Sequence, residues 1–147
     1  MNQNICAKDN IDNFINKLVS LGYRVSEISK KPQIYSVNDK LVNIRSRGKS
    51  RELADGGKLF WYSIAFNVLQ EVEFVIYLTT GPSYFIMVPS SFLTNLKDNM
   101  YPDYSKDNVG IFTIDWDNLE IKLKHGETIS INDYYYNLIH QDNFPIF

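Results

Sequence analysis

"FVIYLTTGPSYFIMVPSSFL", residues 74–93, decides the fold class. Residues 74–80 and 84–89 are apolar at nearly every position, so both faces of each run are apolar, because strand side chains alternate. A strand with one wet face would carry polar residues at every second place, so these runs predict central strands covered on both sides. Gly81-Pro82 ends the first run, and the short connection predicts an antiparallel hairpin. Ser90 or Ser91 is placed to cap a short helix reaching about Leu96.

Upstream, "KLFWYSI" (58–64) predicts an aromatic strand, followed by a brief helical turn over Phe66 to Gln70. "PQIYSVNDKLVNIRS" predicts two short strands around Asn38-Asp39, residue types that tolerate turn geometry. Ile11, Phe14, Ile15, Leu18 and Val19 form one helical stripe. Asp9 or Asn10 is placed to cap that helix and Gly22 to end it. Downstream, "GIFTIDW" and "LEIKLK" predict two strands joined at Asp117-Asn118. Ser130 or Asn132 is placed to cap a C-terminal helix striped by Tyr135, Leu138 and Ile139. The sum is an α+β fold with a mixed, mostly antiparallel sheet and a helix at each end. No linker or repeat divides residues 1–147, which predicts a single domain.

Hydrophobic residues are 44% of the 147 and aromatics 14%, a balance that builds a core and excludes a disordered chain. A single cysteine, Cys6, excludes an internal disulfide and a cysteine zinc site, and fits a reducing compartment. No basic, apolar leader and no apolar stretch of about 20 residues is visible, so a cytoplasmic chain with no membrane partner is expected. The net charge of −2 hides an asymmetry: residues 24–58 carry +5 and residues 98–147 carry −6. Two solvated faces attracting each other, or two binding surfaces, both account for it.

Chemistry-bearing groups are sparse. His125 and His140 have no paired His or Cys spacing, so no metal site is expected of them. "GKS" at 48–50 lacks the upstream glycine of a phosphate loop. Asp115 and Asp117 flank Trp116 and would share a strand face, suited either to Mg²⁺ or to a polar strand end entering a turn. "YPD" (101–103) and "LEIK" (119–122) reproduce the written form of the PD-(D/E)XK nuclease signature through Asp103, Glu120 and Lys122. In such nucleases two acids hold Mg²⁺ and the lysine activates water, so Mg²⁺ is the cofactor of this alternative alone; otherwise none is expected.

A second register carries a broader resemblance. "LVNIRSR", a polar loop, "FWYSI", "EFVIYLTT" and "SYFIMVPSSFL" follow a helix and a hairpin strand over roughly residues 10–97. In element order and residue types this resembles degenerate PD-(D/E)XK-like domains of prokaryotic defence and mobile-element proteins. There, a hydrophobic-(E/Q)-hydrophobic-K-(S/T) strand precedes a Trp-bearing strand. The resemblance implies a restriction-endonuclease-like core. It also implies lost catalysis, because Asn43 stands for the family's Glu or Gln and Arg45 for its Lys. Ser36 or Gln33 stands near the expected Asp, and Glu27 is the acid left between the first helix and that strand. Arginine stays protonated and is a poor proton acceptor.

Period-two geometry puts Asn43, Arg45 and Arg47 on one face, and Lys49, Arg51 and Lys58 continue the charge. Trp61, with Phe60 and Tyr62, is a stacking surface or a packing element. The leading expectation is an inactive nuclease-like domain that binds nucleic acid through Asn43, Arg45, Arg47, Lys49, Arg51, Lys58 and Trp61. The alternatives are a protein-interaction module, such as an inhibitor or immunity protein, using the acidic C-terminal third, and an active Mg²⁺ nuclease.

Overall fold

The first helix, α1 (Ala7–Ser20), buries Ile11, Phe14 and Leu18 and leaves its other face to solvent. The computed structural model describes residues 7–31, 33–46, 51–52, 58–78 and 84–137, with backbone alone at residues 7, 51, 52, 58 and 59. Helix α1 ends as Gly22 requires: its φ is +98°, Tyr23 N–H donates to the Leu18 carbonyl and Gly22 N–H to that of Val19. This is the Schellman arrangement, which glycine enters without a Cβ clash. The expected caps do not hold, because the helix already begins at Ala7 and places Asp9 and Asn10 inside its first turns. Buried Asn10 instead donates from Nδ2 to Ser46 Oγ at 3.0 Å.

Three strands follow: β1 (Val25–Glu27), β2 (Ile34–Val37) and β3 (Lys40–Ser46). Asn38 and Asp39 have φ of 48° and 72°, which makes the two-residue β2–β3 loop a primed turn matched to strand twist. Then come β4 (Arg51–Glu52), β5 (Lys58–Ala65) and the short helix α2 (Phe66–Glu71). The deciding stretch forms β6 (Phe74–Leu78) and β7 (Tyr84–Pro89), paired antiparallel as expected. Helix α3 (Ser90–Leu96) runs into a single 3₁₀ turn, Lys97–Asn99. Pro89, not a serine, holds the N-cap position of α3; the Ser90 hydroxyl donates to the Val72 carbonyl at 2.7 Å and ties α3 to the end of α2. The last strands are β8 (Tyr101–Pro102), β9 (Val109–Asp115), β10 (Glu120–Lys122), β11 (Thr128–Ser130) and β12 (Tyr135–Asn137).

Two sheets result where one was expected. The central sheet has the order β1-β2-β3-β6-β7-β12; the second runs β11-β10-β9-β5-β4, with β8 also on β9. Pairing is antiparallel except between β3 and β6, which are parallel and joined through β4, β5 and α2. The fold is therefore α+β and dominated by antiparallel pairs.

Both faces of the central sheet are buried, which is why β6 and β7 read as unbroken apolar runs. One face, with Tyr35, Val37, Val42, Ile44, Ile76, Leu78, Phe85 and Met87, packs on α1. Phe14 meets Phe85 edge-on there, with ring centroids 5.0 Å apart. The opposite face, with Ile34, Val75, Tyr77, Ile86 and Val88, packs on Phe60, Tyr62, Ile64, Phe112 and Ile114 of the second sheet. Among the described residues no helix is long and apolar enough to cross a membrane.

The expected C-terminal helix is a correction. Residues 132–134 form one 3₁₀ turn, and Tyr135–Asn137 pairs with Tyr84–Ile86 of β7. Tyrosines favour a half-buried pleated surface, and the edge of β7 offers a ladder that an isolated helix lacks. Tyr135 stacks on Tyr84 and Tyr136 on Phe85, on opposite faces of the sheet. Leu138 and Ile139 lie outside the described residues.

Candidate nucleic-acid interface

Strand β3 lies between β2 and β6, so the predicted site residues stand on a central strand. Val42 and Ile44 turn to α1, which directs Asn43 and Arg45 between the two sheets. Asn43 is 2% exposed. Its Nδ2 donates to the Gln33 carbonyl at 3.2 Å, while Oδ1 has no partner among the described residues. So deep a side chain does not present itself to a nucleic acid, and Asn43 is withdrawn from the contact set.

Arg45 is half-buried beside Tyr77, its cross-strand neighbour on β6. Its Nη2 donates to Ser63 Oγ at 3.2 Å. No carboxylate pairs with it among the described side chains, whose ion pairs are Lys8–Asp12, Arg24–Asp39, Lys31–Glu71 and Lys122–Asp115. A guanidinium partly removed from water, with a neutral hydroxyl as its partner, lacks the anion that best completes it. The fully buried Tyr77 hydroxyl also has no partner among the described residues. Burial pushes its pKa far above the usual tyrosine range; the Arg45 charge opposes that shift and Tyr62 adds to it. Tyr62, with its ring 4.7 Å from that of Tyr77, donates its hydroxyl to the Leu78 carbonyl at 3.1 Å.

The charge excess upstream is not one patch. Arg24 and Asp39 pair at 3.2 Å by the β2–β3 turn, at the start of β3. Arg45 stands five residues along the strand from Lys40, roughly 17 Å away. The described ion pairs do not join residues 24–58 to residues 98–137, so the two charged regions do not neutralise each other through them.

Arg47 and Lys49 lie outside the described residues, as do the side chains of Arg51 and Lys58. Backbone pairing sets Arg51 opposite Leu59 and Lys58 opposite Glu52 at the start of β5. Trp61 is half-buried, its ring 5.5 Å from Tyr101, while Phe60 and Tyr62 are core residues at 3% exposure. Phe60 and Tyr62 therefore pack the sandwich, whereas alternation turns Trp61 to the outer face of the second sheet, beside Tyr101. Ser63 and Tyr77 escaped the sequence reading. Ser63 sits in an aromatic strand, and Tyr77 hides its polar tip in a run that reads as uniformly apolar.

The alternative nuclease residues are not assembled. Asp103 N–H donates to the Val109 carbonyl at the start of β9, whereas Glu120 pairs with Asp115 at its end. Six strand residues separate these positions, about 20 Å, too far for one Mg²⁺ to bridge. The Asp103 carboxylate accepts from the Ser105 hydroxyl and N–H at 2.6 and 2.9 Å, contacts that hold its pKa low. Lys122 Nζ stands 3.8 Å from Asp115 Oδ2. Among the described residues no three His, Cys, Asp or Glu side chains cluster as metal ligands.

Asp115 shapes its own turn: Oδ1 accepts the N–H groups of Asp117 and Asn118, and Oδ2 accepts Asn118 Nδ2 at 2.9 Å. Burial alone would raise its pKa, but the Asn118 side chain, these two N–H groups and Lys122 outweigh it and hold the carboxyl below the usual range. Its role is the strand-end turn, not an outward-facing ligand.

Compared with known proteins, the chain matches no family model, no curated protein and no solved structure.

Proposed function

We propose that the protein binds nucleic acid without cleaving it, as a catalytically inactive nuclease-like domain with a restriction-endonuclease-like core. The biological setting that the resemblance implies is prokaryotic defence or mobile elements. The binding end is the one where β3 finishes at Arg45 and Ser46 and the sequence runs on through Arg47, Lys49 and Arg51. One observation carries the reading: the half-buried Arg45 guanidinium has a neutral partner and no carboxylate among the described side chains. A phosphate oxygen supplies the missing charge and accepts two guanidinium N–H groups at once. The parallel β3–β6 pair adds support, since ligands of sheets with crossovers gather at the carboxyl ends of parallel strands. In place of the acid and lysine of an active site, Asn43 supplies no carboxylate for Mg²⁺ and Arg45 no base.

Fluorescence anisotropy with labelled duplex and single-stranded DNA, across a salt series, tests this. The affinity is expected to fall steeply with salt. Arg45→Gln should weaken binding about tenfold and lower the salt slope by about one. Lys40→Gln, at the far end of the same strand, should leave binding within about twofold. Melting curves verify that each variant is folded. An unchanged affinity and salt slope in folded Arg45→Gln would sink the proposal, as would the absence of binding at low salt.

A further inference from the structure

A cleft runs along the flank of α1, where the helix meets the β1–β2 margin of the central sheet. Its volume is about 550 Å³, within the range of roughly 300–1,000 Å³ typical of small-molecule sites. The helix lines it with Lys8, Ile11, Asp12 and Ile15, which share one face because they stand three and four residues apart. The sheet contributes Val25, Glu27 and Tyr35. Glu27 pairs directly opposite Tyr35 across β1 and β2, so both side chains leave the same face, about 5 Å apart at Cβ. That face lies toward α1, where Tyr35 and Val25 pack in one cluster with Ile11 and Ile15.

The polar groups of the cleft are incompletely matched. Tyr35 is 8% exposed, yet its hydroxyl has no hydrogen bond among the described residues. Burial is the main cause that raises its pKa; Glu27 and Asp12 raise it further and Lys8 opposes them, so both carboxylates act on that hydroxyl. Asp12 is held by Lys8 at 2.8 Å, in an exposed pair of the kind that contributes little. The Glu27 side chain has no ion pair and no hydrogen bond among the described residues.

We infer that this cleft binds a small organic cation, a primary ammonium group on an apolar stem. An ammonium has three N–H donors, and Glu27, Asp12 and the Tyr35 hydroxyl offer acceptors to them. Ile11, Ile15 and Val25 cover the stem. Two carboxylates against the one lysine of the lining favour a cation over an anion. The cleft opens on the α1 face, whereas Arg45 faces the second sheet, so the inference does not depend on the nucleic-acid reading.

Titration of the protein with n-pentylammonium, followed by NMR and calorimetry at neutral pH, tests this, with 1-pentanol and pentanoate as neutral and anionic controls. Pentylammonium should bind saturably, shift the Tyr35 ring and the Ile11 and Ile15 methyl resonances, and bind about tenfold more tightly than either control. Glu27→Gln and Tyr35→Phe should each weaken it about three- to tenfold. Lys8→Gln releases Asp12 and should strengthen it about twofold, whereas Lys17→Gln, the same charge change outside the cleft, should leave it unchanged. Melting curves verify that the variants are folded. Equal affinity for pentanol would overturn the inference, as would unmoved Tyr35 resonances or undiminished binding in both folded Glu27→Gln and Tyr35→Phe. Equal effects of Lys8→Gln and Lys17→Gln would also overturn it, because net charge alone would then attract the amine.

Discussion

The two faces of the central sheet differ in chemistry although the same strands make both. Toward α1, the sheet presents Val37, Val42, Ile44, Ile76, Leu78, Phe85 and Met87, a mostly apolar surface on which Ser46 is paired with Asn10 of the helix. Toward the second sheet it presents Val75, Ile86 and Val88, but also Asn43, Arg45 and Tyr77, two of which keep polar atoms with no partner among the described residues. Burial of an unpaired polar group costs free energy, so the second face gives up stability that the first keeps. Under the proposed function, unpaired polar groups beside a half-buried guanidinium belong to the face that binds nucleic acid, while the α1 face serves packing.

This contrast can be broken by substitution. The largest effect belongs to the packing face: Phe14→Ala should lose about 3–5 kcal/mol in chemical denaturation, since the ring is fully buried against Phe85. A loss below about 1 kcal/mol would mean that α1 packs loosely, and the contrast would fail.

On the other face, Tyr77→Phe should leave stability at neutral pH unchanged or raise it by up to about 1 kcal/mol, because the deleted hydroxyl has no described partner. The pH dependence sharpens this. The Tyr77 pKa is raised in the fold, so its neutral form contributes stability that is complete below the ordinary tyrosine value of about 10 and is lost as pH rises beyond it. Urea midpoints measured from neutral to alkaline pH should fall less steeply in Tyr77→Phe than in the unsubstituted protein. Tyr35, Tyr135 and Tyr136 are raised mainly by burial and keep part of the slope. Identical alkaline limbs would place a hydrogen-bond partner or water on the hydroxyl.

The smallest effect is expected of Asn43→Val, within about 1 kcal/mol either way, as followed by thermal melting. The Gln33 carbonyl that loses Nδ2 keeps the Ile44 N–H at 2.9 Å, and a buried apolar group replaces an acceptor with no partner. A loss of several kcal/mol would show that Oδ1 is satisfied.

Local signals carried most of the fold. The apolar runs at 74–78 and 84–89, the turn at Asn38-Asp39 and the glycine at 22 each act through neighbours in sequence, and each is found where the residues place it. What the sequence could not convey is which layer covers which face. A strand buried on both sides reads alike under a helix or under a second sheet, so Phe60, Tyr62, Phe112 and Ile114 give no sign that they close a sandwich. Residues 135–137 failed for a related reason: the stripe of Tyr135, Leu138 and Ile139 pointed to a helix, but Tyr135–Asn137 meets a strand edge far away in sequence. At the site, the alternation of β3 correctly set Asn43 and Arg45 on one face, but not that Asn43 is sealed beneath the second sheet. The Asp103, Glu120 and Lys122 pattern failed because a linear motif does not record that its parts lie at opposite ends of β9.

The pairing of β12 with β7 has a kinetic consequence. A growing chain can assemble β1, β2, β3, β6 and β7 long before residues 135–137 are made, and until then the backbone groups of Tyr84–Ile86 along that margin have no ladder. Synthesis thus leaves an interval in which the most apolar hairpin of the molecule stands ready to join a neighbouring nascent chain. The late arrival of three tyrosine-rich residues closes that interval.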